Sequence, residues 1–104
     1  MPPWFKRIPA LLFVACAPLA AGAQDADLAR NLAATCANCH GAGGPSQGDV
    51  RPLAGLAADK IIAAVSDFKS GAKPATVMHQ IAKGYSDDQI RQVAGYFAAQ
   101  PAPK

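Results

Sequence analysis

The chain is poor in the residues that carry most protein chemistry. Its 104 residues include three cysteines, two histidines and two methionines, and all seven acidic residues are aspartate. It has no run of basic residues and no interleaving of basic with aromatic side chains, which excludes a nucleic-acid-binding surface. It also lacks sustained alternation of β-branched and polar residues, and it has no internal repeat. We therefore do not expect a β-sheet protein or a repeat array.

The chain also lacks an apolar run long enough to cross a membrane. Its most apolar segment, residues 8–21, is interrupted by a proline near each end, whereas a transmembrane helix needs about 20 apolar residues. The segment follows two basic residues and precedes the small residues around Ala23. This order is typical of a secretory signal peptide cleaved after Ala23, and we favour that interpretation over a retained anchor. Cys16 is then removed with the signal.

Removal of residues 1–23 leaves residues 24–104, which is enough for one small domain. The full chain has a formal net charge of +3, and loss of the two basic residues of the signal leaves the domain near neutral. The hydrophobic core of so short a domain is marginal unless a disulfide, a metal or a large cofactor supports it.

The spacing of apolar residues predicts an all-α domain. The predicted helices cover residues 25–40, 56–70, 77–83 and 87–100. Asp25 or Asp27 is the expected N-cap of the first helix, and Ser86 with Gln89 forms a capping box before the last. Gly71 and Gly84 are expected to end the second and third helices. The stripes expected to face the core are Ile61, Ile62, Val65 and Phe68 in the second helix and Ile90, Val93, Ala94 and Phe97 in the last.

The sequence TCANCH, residues 35–40, places two cysteines beside a histidine. This spacing fits a redox dithiol, part of a zinc site, or covalent attachment of a haem. A redox dithiol would open a helix after a strand, whereas this motif ends a helix. A zinc site would need the distant His79 as a fourth ligand. We favour haem: Cys36 and Cys39 add to the vinyl groups, and His40 becomes the proximal ligand of the iron.

A second axial ligand is expected on the other side of the iron. Outside the signal segment the chain has one methionine, Met78, and one further histidine, His79. Met78 follows the turn at Pro74 and opens a helix. Neighbouring residues on a helix point about 100° apart, so Met78 and His79 cannot both face the iron. We favour Met78, because methionine–histidine ligation suits electron transfer, with ligation by His79 as the alternative.

Three segments resemble the class I c-type cytochromes: ATCANCHGAGG, PLAGLAADKIIAAVSDFKSG and MHQIAKGYSDDQIRQVAGYFAAQ. The resemblance covers nearly all of residues 26–100. It is closest to the haem domains of bacterial dihaem cytochromes and to the cytochrome subunit of flavocytochrome c sulfide dehydrogenase. It implies four or five short helices wrapped around one covalent haem c, and a crossing of the first and last helices where Ala29 or Ala33 meets Gly95. The haem-binding and iron-ligating residues that it implies are Cys36, Cys39, His40 and Met78.

The chain departs from this family near the proximal histidine. The family usually has a proline two residues before the leucine that corresponds to Leu53, and the carbonyl of that proline accepts the N–H of the proximal histidine ring. Here that position is Arg51, and Pro52 follows it. Because the backbone supplies the acceptor, the carbonyl of Arg51 can replace it, and Pro52 favours the extended conformation that this requires.

The sequence therefore predicts a periplasmic carrier of one electron, with His40 and Met78 as axial ligands and no catalytic residue. The carrier exchanges electrons with redox partner proteins, and it is either free or bound to a flavoprotein that oxidises sulfide, the partner that the resemblance implies. Lys69, Lys73 and Lys83 flank the distal segment and either form the rim of a docking face or are ordinary solvated residues. The alternative function is a haem enzyme or small-ligand sensor with an open or exchangeable sixth iron site, which a strong Met78 ligand would block.

Overall fold

The computed structural model describes residues 21–43 and 45–103. This part of the chain contains four helices and no strand: α1 Ala21–His40, α2 Ala58–Ser70, α3 Met78–Lys83 and α4 Asp87–Ala98. α1 packs against α4, α4 packs against α2, and α2 packs against α3. The all-α fold predicted from the sequence is confirmed.

The predicted signal peptide is described only at its end. Its first 20 positions, which include Cys16, lie outside the described residues. Cleavage after Ala23 and a domain boundary there therefore stay predictions. In the part of the chain that the structure describes, no helix combines the length and the hydrophobicity that are needed to cross a membrane.

α1 begins earlier than the sequence predicts. It already contains Asp25 and Asp27, so the prediction that one of them is its N-cap is wrong. Asp27 instead pairs with Arg30 at 2.8 Å, a spacing of three residues that an α-helix supports. The other end is as predicted, because the N–H of Gly41 donates to the carbonyl of Ala37 at 2.9 Å. Gly41 has a φ of 80°, the left-handed conformation that ends many helices.

Local sequence specifies the start of α4. The Oγ of Ser86 accepts a hydrogen bond from the backbone N–H of Gln89 at 3.2 Å, and the Gln89 side chain accepts one from the N–H of Ser86 at 2.9 Å. This is the predicted capping box. Asp87 and Asp88 occupy the first turn, where the helix dipole stabilises a carboxylate. The predicted buried stripe is confirmed as Ile90, Val93, Ala94 and Phe97.

The hydrophobic core is small. The buried hydrophobic residues of the described chain are Ala33, Ala54, Ile61, Ala82, Ile90, Val93, Ala94 and Phe97. Half of them are alanines, and among the described residues Phe97 is the one large side chain that is fully buried. Because alanine fills little volume, the helices need a further apolar body between them to reach the packing density of a stable domain.

The first and last helices pack through alanines. Ala33 of α1 and Ala94 of α4 are both 0% exposed and belong to one buried cluster. The prediction that Gly95 occupies this crossing is wrong, because Gly95 is exposed and a Cβ added there would meet no atom within 4 Å. Gly95 lies about 100° around α4 from Ala94, on the exposed side of the helix.

Gly55 holds the segment before α2 close to the C-terminal residues. Its N–H donates to the carbonyl of Phe97 at 2.9 Å, and its φ is 78°. A Cβ added to Gly55 would lie 2.8 Å from the Cβ of Ala102 and 2.9 Å from its Cα. The position therefore needs glycine for its backbone conformation and for this contact. The turn also fixes the preceding Leu53, which lines the cleft described below.

We expect Gly55→Ala to reduce the free energy of unfolding more than Gly71→Ala does. Both glycines have positive φ, 78° and 85°, a conformation that costs alanine about 1–2 kcal/mol. A Cβ added to Gly71 would meet nothing within 4 Å, so the contact with Ala102 is the difference between the two variants. Denaturant unfolding of the protein as isolated measures both losses. Equal losses would contradict a role for the Ala102 contact.

Candidate functional site

The motif predicted to bind haem forms the last turn of α1. Cys36, Cys39 and His40 stand at positions i, i+3 and i+4, so their side chains lie on one side of the helix. Both cysteines are free thiols; Cys36 is half-buried and Cys39 is exposed. Together with His40 they line an apolar cavity of about 180 Å³. The structure thus brings the three predicted residues to one site.

The surroundings of the thiols do not favour a redox dithiol or a zinc site. Burial raises the pKa of the Cys36 thiol, whereas a reactive cysteine usually has a lowered pKa at a helix N-terminus or beside a cation. Both cysteines lie at the opposite end of a helix, where the dipole is negative. Within the described ranges, no group of three or more histidine, cysteine or acidic side chains is arranged to hold a metal ion.

The imidazole of His40 is oriented by the backbone of the following loop. Its Nδ1 lies 2.6 Å from the carbonyl oxygen of Arg51. A carbonyl can only accept a hydrogen bond, so Nδ1 carries the proton and Nε2 of the neutral ring keeps its lone pair. This is the tautomer that a metal-binding histidine requires. The acceptor is the carbonyl of Arg51, which the sequence predicts as the replacement for a proline carbonyl.

The loop between α1 and α2 holds this carbonyl in place through its own hydrogen bonds. The N–H of Gln47 donates to the carbonyl of Cys39 at 2.9 Å, and the N–H of Val50 donates to the carbonyl of Gln47 at 3.0 Å. Pro52 restricts the preceding Arg51 to extended conformations. These features bring the loop back to the end of α1, so that the Arg51 carbonyl lies beside His40.

A second cavity, of about 230 Å³, adjoins the first. The two cavities share the lining residues His40, Leu53, Ile61, Val65 and Met78. A small cavity of about 30 Å³ also borders Met78. These cavities form one cleft lined by all four helices and by the loop before α2, with walls that are mostly aliphatic. Such walls suit a large apolar group that is fixed by a few polar atoms.

The structure separates the two candidates for the sixth ligand. Met78 lines all three cavities of the cleft. His79 lines none of them, and its Nδ1 is buried without a hydrogen-bond partner in the described part of the chain. Met78 therefore shares the cleft with His40, and His79 does not.

Of the three candidate rim lysines, the structure places only Lys73 at the cleft. Lys69 donates to the carbonyl of Tyr85 at 2.6 Å, lies 3.5 Å from Asp87, and lines a different depression of about 370 Å³ between α2 and α4. Lys83 is exposed and lines none of these cavities. The three lysines therefore do not form one rim around the cleft.

Two cationic side chains at the cleft were not predicted from the sequence. Arg51 and Lys60 line the second cavity together with Lys73. The position of Lys60 could have been predicted from helical spacing. Ala64 and Phe68, four and eight residues later on the same face of α2, line the same cavity. For Arg51 no local pattern predicts where the side chain lies.

Comparison with known proteins identifies the family. The family model described as "Cytochrome C oxidase, cbb3-type, subunit III" matches residues 23–97. The chain is 39% identical over 66 residues to the cytochrome subunit of sulfide dehydrogenase from Chlorobaculum tepidum, which is 64% of this chain and 60% of that protein. It is 38% identical over 77 residues to the thiosulfate dehydrogenase electron acceptor from Stutzerimonas stutzeri, 72% of this chain and 36% of that protein. It is 34% identical over 91 residues to cytochrome c4 from Pseudomonas aeruginosa, 86% of this chain and 45% of that protein.

The chain thus spans less than two thirds of the length of each of these relatives. The site fits the cofactor of such proteins: paired thiols stand at the edge of an apolar cleft, and one imidazole has a free Nε2. The family match and the fitting site lead to one conclusion. The chain belongs to the c-type cytochromes, and its cofactor is covalently bound haem c with its iron.

Proposed function

We propose that the chain is a periplasmic carrier of single electrons, with its haem attached through Cys36 and Cys39. When bound, the haem supplies an iron that cycles between Fe(II) and Fe(III). His40 is the proximal ligand in this proposal, and Met78 is the distal one. The observation that carries it is the placement of both in one apolar cleft, with His79 outside.

Different groups of the chain would attach the haem, orient its histidine ligand and shield it from water. The thiols fix the cofactor at one edge, and the Arg51 carbonyl holds the His40 ring in the ligating tautomer. The aliphatic walls exclude water, which limits the solvent rearrangement that accompanies a change of charge. Because Met78 fills the remaining position at the iron, the alternative of a haem enzyme or ligand sensor has less support than the carrier.

The first prediction concerns attachment. The mass of the exported protein should equal residues 24–104 plus one haem. The double variant Cys36→Ala/Cys39→Ala should lack covalent haem. It should also lose its cooperative thermal transition in circular dichroism, because the core that remains is small and half of its residues are alanines.

Cys16→Ala is the matched control, because it removes a thiol from the predicted signal and not from the motif. Its product should have the same mass as the parent protein. A parent mass equal to the bare polypeptide with a disulfide would contradict haem attachment. A haem-free variant that melts as cooperatively as the parent would show that the cofactor is not needed for the fold.

The second prediction concerns the sixth ligand. The oxidised protein should show the weak near-infrared absorption band of sulfur bound to haem iron. Met78→Ala should remove this band and allow imidazole to bind at the iron. His79→Ala should leave both properties unchanged, because His79 lies outside the cleft.

Ile81→Ala is the control for Met78→Ala, since Ile81 lines the same cavity without a ligating atom. It should keep the near-infrared band. If His79→Ala removed the ligand signal and Met78→Ala did not, the site would be bis-histidine. If neither variant changed the spectrum, the iron would have an open position, and the enzyme or sensor function would replace the carrier.

We also propose that the electron donor is a flavoprotein that oxidises sulfide. The similarity to the cytochrome subunit of sulfide dehydrogenase supports this donor. The similarity to the thiosulfate dehydrogenase electron acceptor offers a different donor. The two candidate donors oxidise different substrates, sulfide and thiosulfate, so one measurement of haem reduction distinguishes them.

The third prediction is therefore the substrate that delivers the electron. Purified protein mixed with a flavocytochrome c flavoprotein subunit should be reduced rapidly on addition of sulfide, followed by the visible spectrum of the haem. Sulfide without the flavoprotein should reduce it much more slowly. Faster reduction by thiosulfate with a thiosulfate dehydrogenase than by sulfide with the flavoprotein would contradict the proposed donor and leave the carrier function intact.

A further inference from the structure

The second half of the cleft carries a cluster of positive charge. Arg51, Lys60 and Lys73 line the cavity of about 230 Å³, and no acidic residue lines it. They come from three places: the loop after α1, the first turn of α2, and the turn between α2 and α3. Their meeting at one cavity is a property of the fold and not of a local charge run.

These three cations have no carboxylate partner among the described residues. The ion pairs recorded there join Asp27 to Arg30, Asp87 to Lys69 and Asp88 to Arg91. Lys73 instead lies over the ring of Phe68, with its Nζ 5.1 Å from the ring centroid. All three residues are exposed, so solvent screens their mutual repulsion. An anionic group placed in the cavity would be attracted by all three.

The two halves of the cleft differ in their chemistry. The half that contains Cys36 and Cys39 has no charged lining residue, and the half that contains the three cations has no cysteine. The residues that both halves share include His40 and Met78. A haem has the same polarity, because its vinyl groups and its two propionate carboxylates occupy opposite edges of the ring, with the iron between them.

We propose that Arg51, Lys60 and Lys73 bind the two propionates of the haem. The cleft is thereby matched to the cofactor along its whole length, with thiols at the vinyl edge and cations at the carboxylate edge. Charge-assisted hydrogen bonds from Arg and Lys to carboxylates are roughly twice as strong as those between neutral groups. Arg51 then acts twice, through its carbonyl on His40 and through its guanidinium on a propionate.

The cluster should also raise the reduction potential of the haem iron. Positive charge near the haem stabilises the Fe(II) state, which carries one positive charge less than the Fe(III) state. Removal of one cation should therefore shift the equilibrium between the two states toward Fe(III). We expect a shift of roughly threefold for each cation, which corresponds to about 28 mV for one electron.

The test uses the haem-bound variants Arg51→Gln, Lys60→Gln and Lys73→Gln, and the double variant of the two lysines. Arg51→Gln keeps the backbone carbonyl that His40 needs. Lys83→Gln is the control: it removes the same charge from a residue outside the cleft. The reduction potential should fall in each test variant, most in the double variant, and should stay near the parent value in Lys83→Gln.

A second readout does not depend on the potential. In the reduced parent protein, nuclear Overhauser effects should connect the side-chain methylenes of Lys60 and Lys73 with those of the propionates. Those of Lys83 should show none. This inference rests on the proposed attachment and ligands, so the mass and the near-infrared band of every variant are measured first. A lost haem or band then reports failure of those proposals and not of the cation site.

The proposal is overturned if the lysine methylenes show no contact with the propionates and the double variant keeps the parent potential. It is also overturned if Lys83→Gln lowers the potential as much as Lys60→Gln does, since the effect would then be a general one of surface charge. Slower reduction by a partner protein at an unchanged potential would identify the cluster as a docking surface and would equally overturn it.

Discussion

The hydrogen bond from His40 Nδ1 to the carbonyl of Arg51 is the interaction on which the site depends. It joins the last turn of α1 to the loop that precedes α2. It also fixes the imidazole tautomer, so that Nε2 is free to bind a metal. The bond itself is secured by backbone features, because the loop is tied to Cys39 by Gln47 and Pro52 extends the chain at Arg51. A change of the side chain at position 51 therefore leaves the interaction intact.

The cleft explains two of the three large apolar residues that the described part of the fold leaves exposed. The large hydrophobic residues exposed in the described chain are Leu28, Val77 and Ile81, at 46%, 58% and 37%. Val77 and Ile81 both line the cavity that contains the thiols. Since half of the buried hydrophobic residues are alanines, a bound haem would cover Val77 and Ile81 and supply the apolar volume that the helices lack. Cofactor binding and folding are then coupled in this protein.

Local features of the fold could be predicted, and those that depend on distant packing could not. The capping box at Ser86 and the end of α2 at Gly71 follow from a few neighbouring residues, and both are present. The start of α1 was missed because an aspartate inside an alanine-rich segment resembles a cap. The resemblance placed Gly95 in the helix crossing, where the buried residue is Ala94. An error of one position rotates a helical side chain by about 100°, and only the packing shows which residue faces the neighbouring helix.

Position 51 shows why the cation cluster escaped sequence reasoning. The backbone there performs a task that the resemblance could assign, because the carbonyl of any residue accepts a hydrogen bond. The side chain performs a task that depends on where α2 and the turn after it bring Lys60 and Lys73. A proline at this position would keep the first contribution and lose the second. An arginine orients His40 through its carbonyl and also places a positive charge at the edge of the cleft opposite the thiols. The two contributions combine only because the fold brings His40 and the cationic edge of the cleft within reach of one residue.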